Sequence, residues 1–264
     1  MSSAGGGAEI VPTERRTAFA LRADGQLQSY VDLADPLHLA FDYVRRLGDV
    51  LDAVDPPGEP LRVVHVGGAA MSLPRYVAAT RPRSAQIVLE PDTETTEQVR
   101  AHLPLPPRSG IKVRPQDGRT GLGALRPDSA EVILVDAFDR GRVPADLVTV
   151  EAFTTMRGVL LDGGLLLFNL VDRAPFAWSR RALAAGRSVF DATALHVEPA
   201  VLKGRRAGNV LLLASTRQRS LDTVHARLSG RQSGFRVLAG TRVGDFFGGG
   251  APFTDSDTEA SGAP

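Results

Sequence analysis

Apolar positions follow two spacings along the chain. Short, mostly apolar runs rich in β-branched residues occur at 61–66, 85–89, 111–113, 131–135, 165–170, 194–201 and 209–214. Runs of this length suit strands covered on both faces. Between them, apolar residues recur every three or four positions, the spacing of a helix with one buried stripe. Helices are predicted over 73–80, 93–103, 145–159, 175–190 and 221–228, and an extended segment at 235–243 leads to a last helical turn. Strand and helix alternate, which argues for a mostly parallel sheet of about seven strands with helices on both faces.

The segments outside this alternation read differently. Residues 17–21 and 26–32 flank Ala23-Asp24-Gly25, a hairpin signal. Residues 36–54 carry a helical stripe through Leu37, Phe41, Val44, Leu47, Val50, Leu51 and Val54, with Asp35-Pro36 as the predicted start. Residues 1–14 are small and polar, and the tail from 248 is glycine-rich and then acidic; both are expected to be disordered. The expected organisation is a hairpin and helix over 15–58 and the main domain over 59–247.

Composition removes several functions. The net charge of +1 gives no reason to expect nucleic acid or an acidic membrane as partner. No cysteine is present, which excludes disulfides, thiolate metal sites and cysteine nucleophiles. The five histidines, His38, His65, His102, His196 and His225, show no ligand spacing, so no catalytic metal is expected. No apolar run reaches the roughly 18 residues of a membrane helix. The first residues lack the apolar centre of a signal peptide, and the cytoplasm is the expected compartment.

Candidate chemistry gathers at the carboxyl ends of the predicted strands, where open α/β sheets bind ligands. Gly67 and Gly68 follow the first core strand at once. Glu90 ends the second strand 23 residues after Gly67, close to the roughly 20 expected of an acid that binds ribose hydroxyls. Residues 67–72, Gly-Gly-Ala-Ala-Met-Ser, lack the third glycine that admits a pyrophosphate, which counts against NAD and favours a nucleoside ligand without phosphates. Asp117-Gly118 follows the third strand, where the acid could accept from an adenine amino group or simply close a turn. Asp136-Ala137-Phe138-Asp139 follows the fourth: two carboxylates, suited to bind a cationic group and take a proton from it, or to cap a helix.

These segments resemble the spermidine synthases, aminopropyltransferases built on the Rossmann-like fold of class I S-adenosylmethionine-dependent methyltransferases. The resemblance runs from about Leu21 to Ser215 and is nearest to the short actinobacterial form, whose glycine turn also continues into a Leu-Pro-Arg-Tyr helix, here Leu73 to Tyr76. It implies that Gln28, after the Asp-Gly hairpin, touches the donor, that Glu90 holds the ribose, and that Asp117 and Gly118 lie beside the adenine. It further implies that Asp136 orients and deprotonates an attacking amine while Asp139 helps hold the acceptor. A homodimer formed through the N-terminal strands is the associated expectation.

Three departures stand against the family pattern. Ala70 occupies the position of an aspartate that binds the donor's amine. A Tyr-Gln or Tyr-His pair expected near residues 38–41 is not reproduced, and residues 200–208 lack a Tyr-Pro-x-Gly segment. Arg75 nearby suggests a partner for the carboxylate of intact S-adenosylmethionine, or a helix-packing residue. Other candidates are weaker: Ser72 lacks a nucleophile-elbow context, Phe176 and Trp178 could line the acceptor side or pack, and the basic loop 203–206 could meet an anion or stay solvated. Three functions remain open: aminopropyl transfer from decarboxylated S-adenosylmethionine to a small-molecule amine, methyl transfer from the intact donor to a small molecule, and adenosyl-ligand binding without catalysis.

Overall fold

The computed structural model describes residues 8–23, 25–231 and 233–262. Asp24 of the Asp-Gly turn and residues 1–7 of the N-terminus lie outside them. Strands β1 (Glu9–Pro12), β2 (Ala18–Ala23) and β3 (Gln26–Asp32) form an antiparallel sheet in the order β1-β2-β3. The expected hairpin is therefore a three-stranded meander. Residues 9–12, expected to be disordered, pair with β2 from Glu9↔Arg22 to Pro12↔Phe19, because Ile10 has an apolar surface to cover.

Helix α1 (Asp42–Ala53) starts six residues later than Asp35-Pro36 predicts. The His38 N–H donates to the Asp35 carbonyl and closes a turn instead. The main chain then runs through β4 (Arg62–Val66), α2 (Ser72–Thr80), β5 (Ala85–Leu89), α3 (Thr93–His102), β6 (Ile111–Arg114), α4 (Gly118–Gly123) and β7 (Ala130–Val135). It continues through a 3₁₀ turn at Ala145–Leu147, α5 (Val150–Val159), β8 (Leu160–Asp172), α6 (Ala177–Val189), β9 (Ala192–Val197), α7 (Pro199–Leu202), β10 (Gly208–Ser215), α8 (Gln218–Leu228), β11 (Arg236–Ala239) and α9 (Thr241–Phe247). The single helix predicted over 145–159 is split because the Thr149 side chain accepts from the Ala152 N–H and caps α5.

The main sheet has eight strands in the order β11-β9-β10-β8-β7-β4-β5-β6. Strands β4 to β8 pair in parallel, while β10 runs against both β8 and β9, and β11 adds an antiparallel edge. Alternation along the strands feeds two cores. Val64, Val66, Ile133, Val135, Phe168 and Leu212 face α5 and α6. Val63, Val132, Leu134, Leu167 and Leu213 face α1 and α8. Helix α1 thus belongs to the main sheet rather than to the N-terminal unit. The meander packs Leu21 and Val31 against Ala70, Met71 and Val99, and so sits beside the turn after β4.

The tail is packed, not disordered. Phe253 and Ser261 are fully buried, Phe253 lies beside Trp178 with the Arg181 guanidinium 4.2 Å from its ring centre, and Arg181 also pairs with Asp257. Composition did not reveal this because one aromatic anchor and a few acids find partners far away in sequence. Among the described residues no helix is long and apolar enough to cross a membrane.

Candidate active site

The turn after β4 is shaped by close approach. Gly67 has φ +86°, and a Cβ there would lie 2.4 Å from the Asp136 carbonyl oxygen and 2.9 Å from the Ala137 Cα. Only glycine lets the strand end pass under the next strand's loop. A Cβ at Gly68 would meet Val88 at 2.8 Å. The turn is held from β5: the Gly67 N–H donates to the Leu89 carbonyl, and Glu90 Oε2 accepts from the Gly68 N–H at 2.9 Å and the Ala69 N–H at 3.4 Å. Glu90 Oε1 accepts from the Asp92 N–H at 3.0 Å. A carboxylate has about four acceptor sites, so Glu90 can hold the turn and still accept from a ribose hydroxyl.

Asp136 follows β7, and its N–H donates to the Val66 carbonyl. Its Oδ1 accepts from Asn169 Nδ2 at 2.8 Å, and Asn169 Oδ1 accepts in turn from Asn209 Nδ2 at 2.9 Å. The Tyr43 hydroxyl, on the first turn of α1, lies 3.4 Å from Asp136 Oδ2. Burial pushes the Asp136 carboxyl above its ordinary range, against the opposing pull of these two donors. Burial and the Asp136 charge push the Tyr43 phenol well up, so it stays a donor.

The other predicted acids are less constrained. Asp139 is exposed and begins a tight turn, with mutual backbone bonds to Arg142 and positive φ at Arg140 and Gly141. Asp117 caps α4: its Oδ1 accepts from the Thr120 N–H at 2.8 Å, and these bonds hold its carboxyl below the usual range. Gly118 is needed where it stands, because a Cβ would lie 2.3 Å from Val66 Cγ1.

All eight candidates, Gln28, Gly67, Gly68, Glu90, Asp117, Gly118, Asp136 and Asp139, line one cavity of about 490 Å³. Its wall also carries Phe41, Tyr43, Asp146, Asn169 and Asn209, which sequence reasoning missed. Tyr43 stands two residues beyond the window in which a tyrosine was expected. Asn169 is the one polar side chain inside the apolar run 165–170, and that was its signal. Among the described residues, five acidic residues line the cavity, Glu90, Asp117, Asp136, Asp139 and Asp146, and neither lysine nor arginine does.

Several candidates lie elsewhere. Arg75 is buried and donates to the carbonyls of Ala70, Leu103 and Pro104, so it packs a helix rather than facing the cavity. Ala70 is fully buried against the meander. Trp178 Nε1 donates to the Glu259 carbonyl, Phe176 stacks on Phe247, and neither they nor residues 203–206 reach the cavity wall.

Neither any protein-family model nor any curated protein matches the sequence. Solved structures do. A probable spermidine synthase from Corynebacterium glutamicum is 26% identical with a TM-score of 0.84, covering 94% of this chain and 92% of that one. A spermidine synthase from Thermotoga maritima, 16% identical over 95% of this chain and 78% of that one, has a TM-score of 0.58. Human methyltransferase-like protein 13, solved in complex with SAH, is 20% identical over 74% of this chain and 95% of its own, with the same TM-score of 0.58. The likeness first seen in short motifs therefore runs along nearly the whole chain, and the fold is one that transferases use.

Proposed function

We propose that this spermidine synthase-like protein is an aminopropyltransferase, moving the aminopropyl group of decarboxylated S-adenosylmethionine to a small amine. The observation that carries this reading is the charge of the cavity wall, which among the described residues has five acidic residues and no lysine or arginine. The decarboxylated donor is a sulfonium with a distal ammonium, and a diamine acceptor is also cationic. Intact S-adenosylmethionine adds a carboxylate, which would meet no cationic side chain on that wall; Arg75, the one residue suggested for it, is committed to backbone carbonyls.

The residues divide the work. Glu90 and the glycine turn hold the ribose, Asp117 and Gly118 border the base, and Gln28 closes the meander side. Asp136 orients the acceptor and takes one proton from its attacking nitrogen. That nitrogen's lone pair forms the new C–N bond as the C–S bond breaks, and methylthioadenosine leaves as a neutral thioether. The leaving group needs no proton, so alignment and exclusion of water do most of the remaining work. A carboxylate raised by burial is matched to this task, because it is a stronger base than a solvated one. Asn169 and Tyr43 fix its orientation.

Ala70 favours a second reading, methyl transfer from the intact donor, since no carboxylate stands at that position to bind the aminopropyl amine. Incubation with each donor and a panel of diamines separates the possibilities. Methylthioadenosine formed only with decarboxylated donor and amine is the expected result. Adenosylhomocysteine from the intact donor would replace the first reading by the second. Binding of methylthioadenosine without turnover of either donor would leave a ligand-binding protein.

A further inference from the structure

The loop that carries the acceptor side of the cavity is fastened from outside by the tail. Residues 136–144 contribute Asp136, Asp139, Gly141 and Pro144 to the wall. The near end of the loop is fixed by the Asp136 N–H on Val66 and by Gly67 beneath it. Its far end is Val143, which is fully buried. The Val143 N–H donates to Ser261 Oγ at 2.9 Å, and the Val143 carbonyl accepts from the Ser261 N–H at 3.2 Å. Two residues on, the Ala145 carbonyl accepts from Thr258 Oγ1 at 2.7 Å.

The tail is anchored independently of that loop. Phe253 is buried between Trp178 and Arg181, its carbonyl accepts from the Val150 N–H, and the Glu259 carbonyl accepts from Trp178 Nε1. Asp255 pairs with Arg119 at 2.6 Å and accepts from Thr149 Oγ1 at 2.7 Å. Helices α4, α5 and α6 thus hold a strap whose free face satisfies the loop. Buried backbone groups left without partners are costly, so without Ser261 the far end of the loop must rearrange toward water.

We propose that residues 253–261 are a positioning strap for the acceptor half of the cavity, with Ser261 and Thr258 as the positioning residues. The inference rests on the aminopropyltransferase reading for what the loop binds, but not for the fastening itself. The strap acts on Asp139 and its turn, whereas the donor-side turn of Gly67, Gly68 and Glu90 is held by β4 and β5.

Two mild variants test it without disturbing the Phe253 anchor: Ser261→Ala and Thr258→Val in the full chain. Amide exchange at Val143 should quicken about fivefold or more in Ser261→Ala, the factor that one lost hydrogen bond carries. Calorimetry then compares methylthioadenosine binding with putrescine binding to the methylthioadenosine complex. The expected result is a several-fold weaker putrescine affinity in both variants, with methylthioadenosine affinity changed less than about twofold, the split expected where the two halves are held separately. Unchanged Val143 exchange, or equal loss of both affinities, overturns the strap. Failure of the unaltered protein to bind methylthioadenosine overturns the functional reading instead, and the exchange result alone then decides the strap.

Discussion

Asp136 is held by contacts that favour its charge in a place whose burial opposes it. Asn169 donates at 2.8 Å, yet the carboxyl still lies above its ordinary range. The sign follows from linkage: with the folded pKa above the unfolded one, ionisation weakens the fold, and the penalty is fully present once the pH exceeds the folded value. Asp136→Asn is isosteric, can still accept from Asn169 and can turn a donor toward Tyr43. Thermal unfolding at neutral pH should therefore show a higher midpoint for Asp136→Asn, while the proposed aminopropyl transfer should fall by about 10² to 10⁴, the range for loss of a general base. A lower midpoint would mean that the hydrogen bonds outweigh the desolvation. Glu90 and Asp136 were legible because each ends an apolar run. Tyr43 and Asn209 were not, since helix phase and antiparallel register bring them to Asp136 across 93 residues of chain in one case and through Asn169 in the other.

Strand β4 and its turn were the most readable element, because a β-branched run, two glycines and an acid one strand away describe one short-range unit. Their cost in stability was not readable. His65 in β4 is 1% exposed; Gln86 donates its amide to the Pro74 carbonyl, so its Oε1 faces His65 Nε2 at 2.9 Å and accepts from it. His65 Nδ1 has no partner among the described residues, and burial lowers the imidazole pKa from 6.5 to about 4. Buried His196 and its neighbour His225 are lowered in the same direction, by burial and by the Arg46 charge. A depressed histidine leaves the unfolded chain binding more protons, so stability is lost as the pH falls below about 6.5. For His65 alone the loss between pH 7 and pH 5 is about 2 kcal/mol. Denaturant titrations at those two values should show it, and His65→Gln should flatten the decline; an equal decline in that variant assigns the loss elsewhere. The edges of the fold were the least readable elements. The strand at Glu9–Pro12 and the strap at 253–261 are ordered by partners outside their own sequence neighbourhood, and local composition carries no record of those partners.

At the scale of the molecule, 31 basic and 30 acidic residues nearly cancel, yet their placement does not. Arginines are spent on the frame: Arg81 caps the end of α1 through the carbonyls of Leu51, Val54 and Pro56, and Arg119 and Arg181 hold the tail. The acids that these do not neutralise include the five on the cavity wall. A low-dielectric cleft lined by one sign of charge concentrates field there even when the net charge is near zero. This separates ligands that share one nucleoside. Decarboxylated S-adenosylmethionine carries two positive charges and methylthioadenosine none, so salt should screen only the first. Between about 50 mM and 500 mM salt, where the Debye length falls from roughly 14 to 4 Å, affinity for the decarboxylated donor should weaken several-fold and that for methylthioadenosine hardly change. Intact S-adenosylmethionine, with one net positive charge, should fall between them. Calorimetric titration of all three at both salt concentrations measures the order directly. Equal salt responses would show that the wall carboxylates are not felt by the donor, and would remove the electrostatic ground for preferring the decarboxylated form.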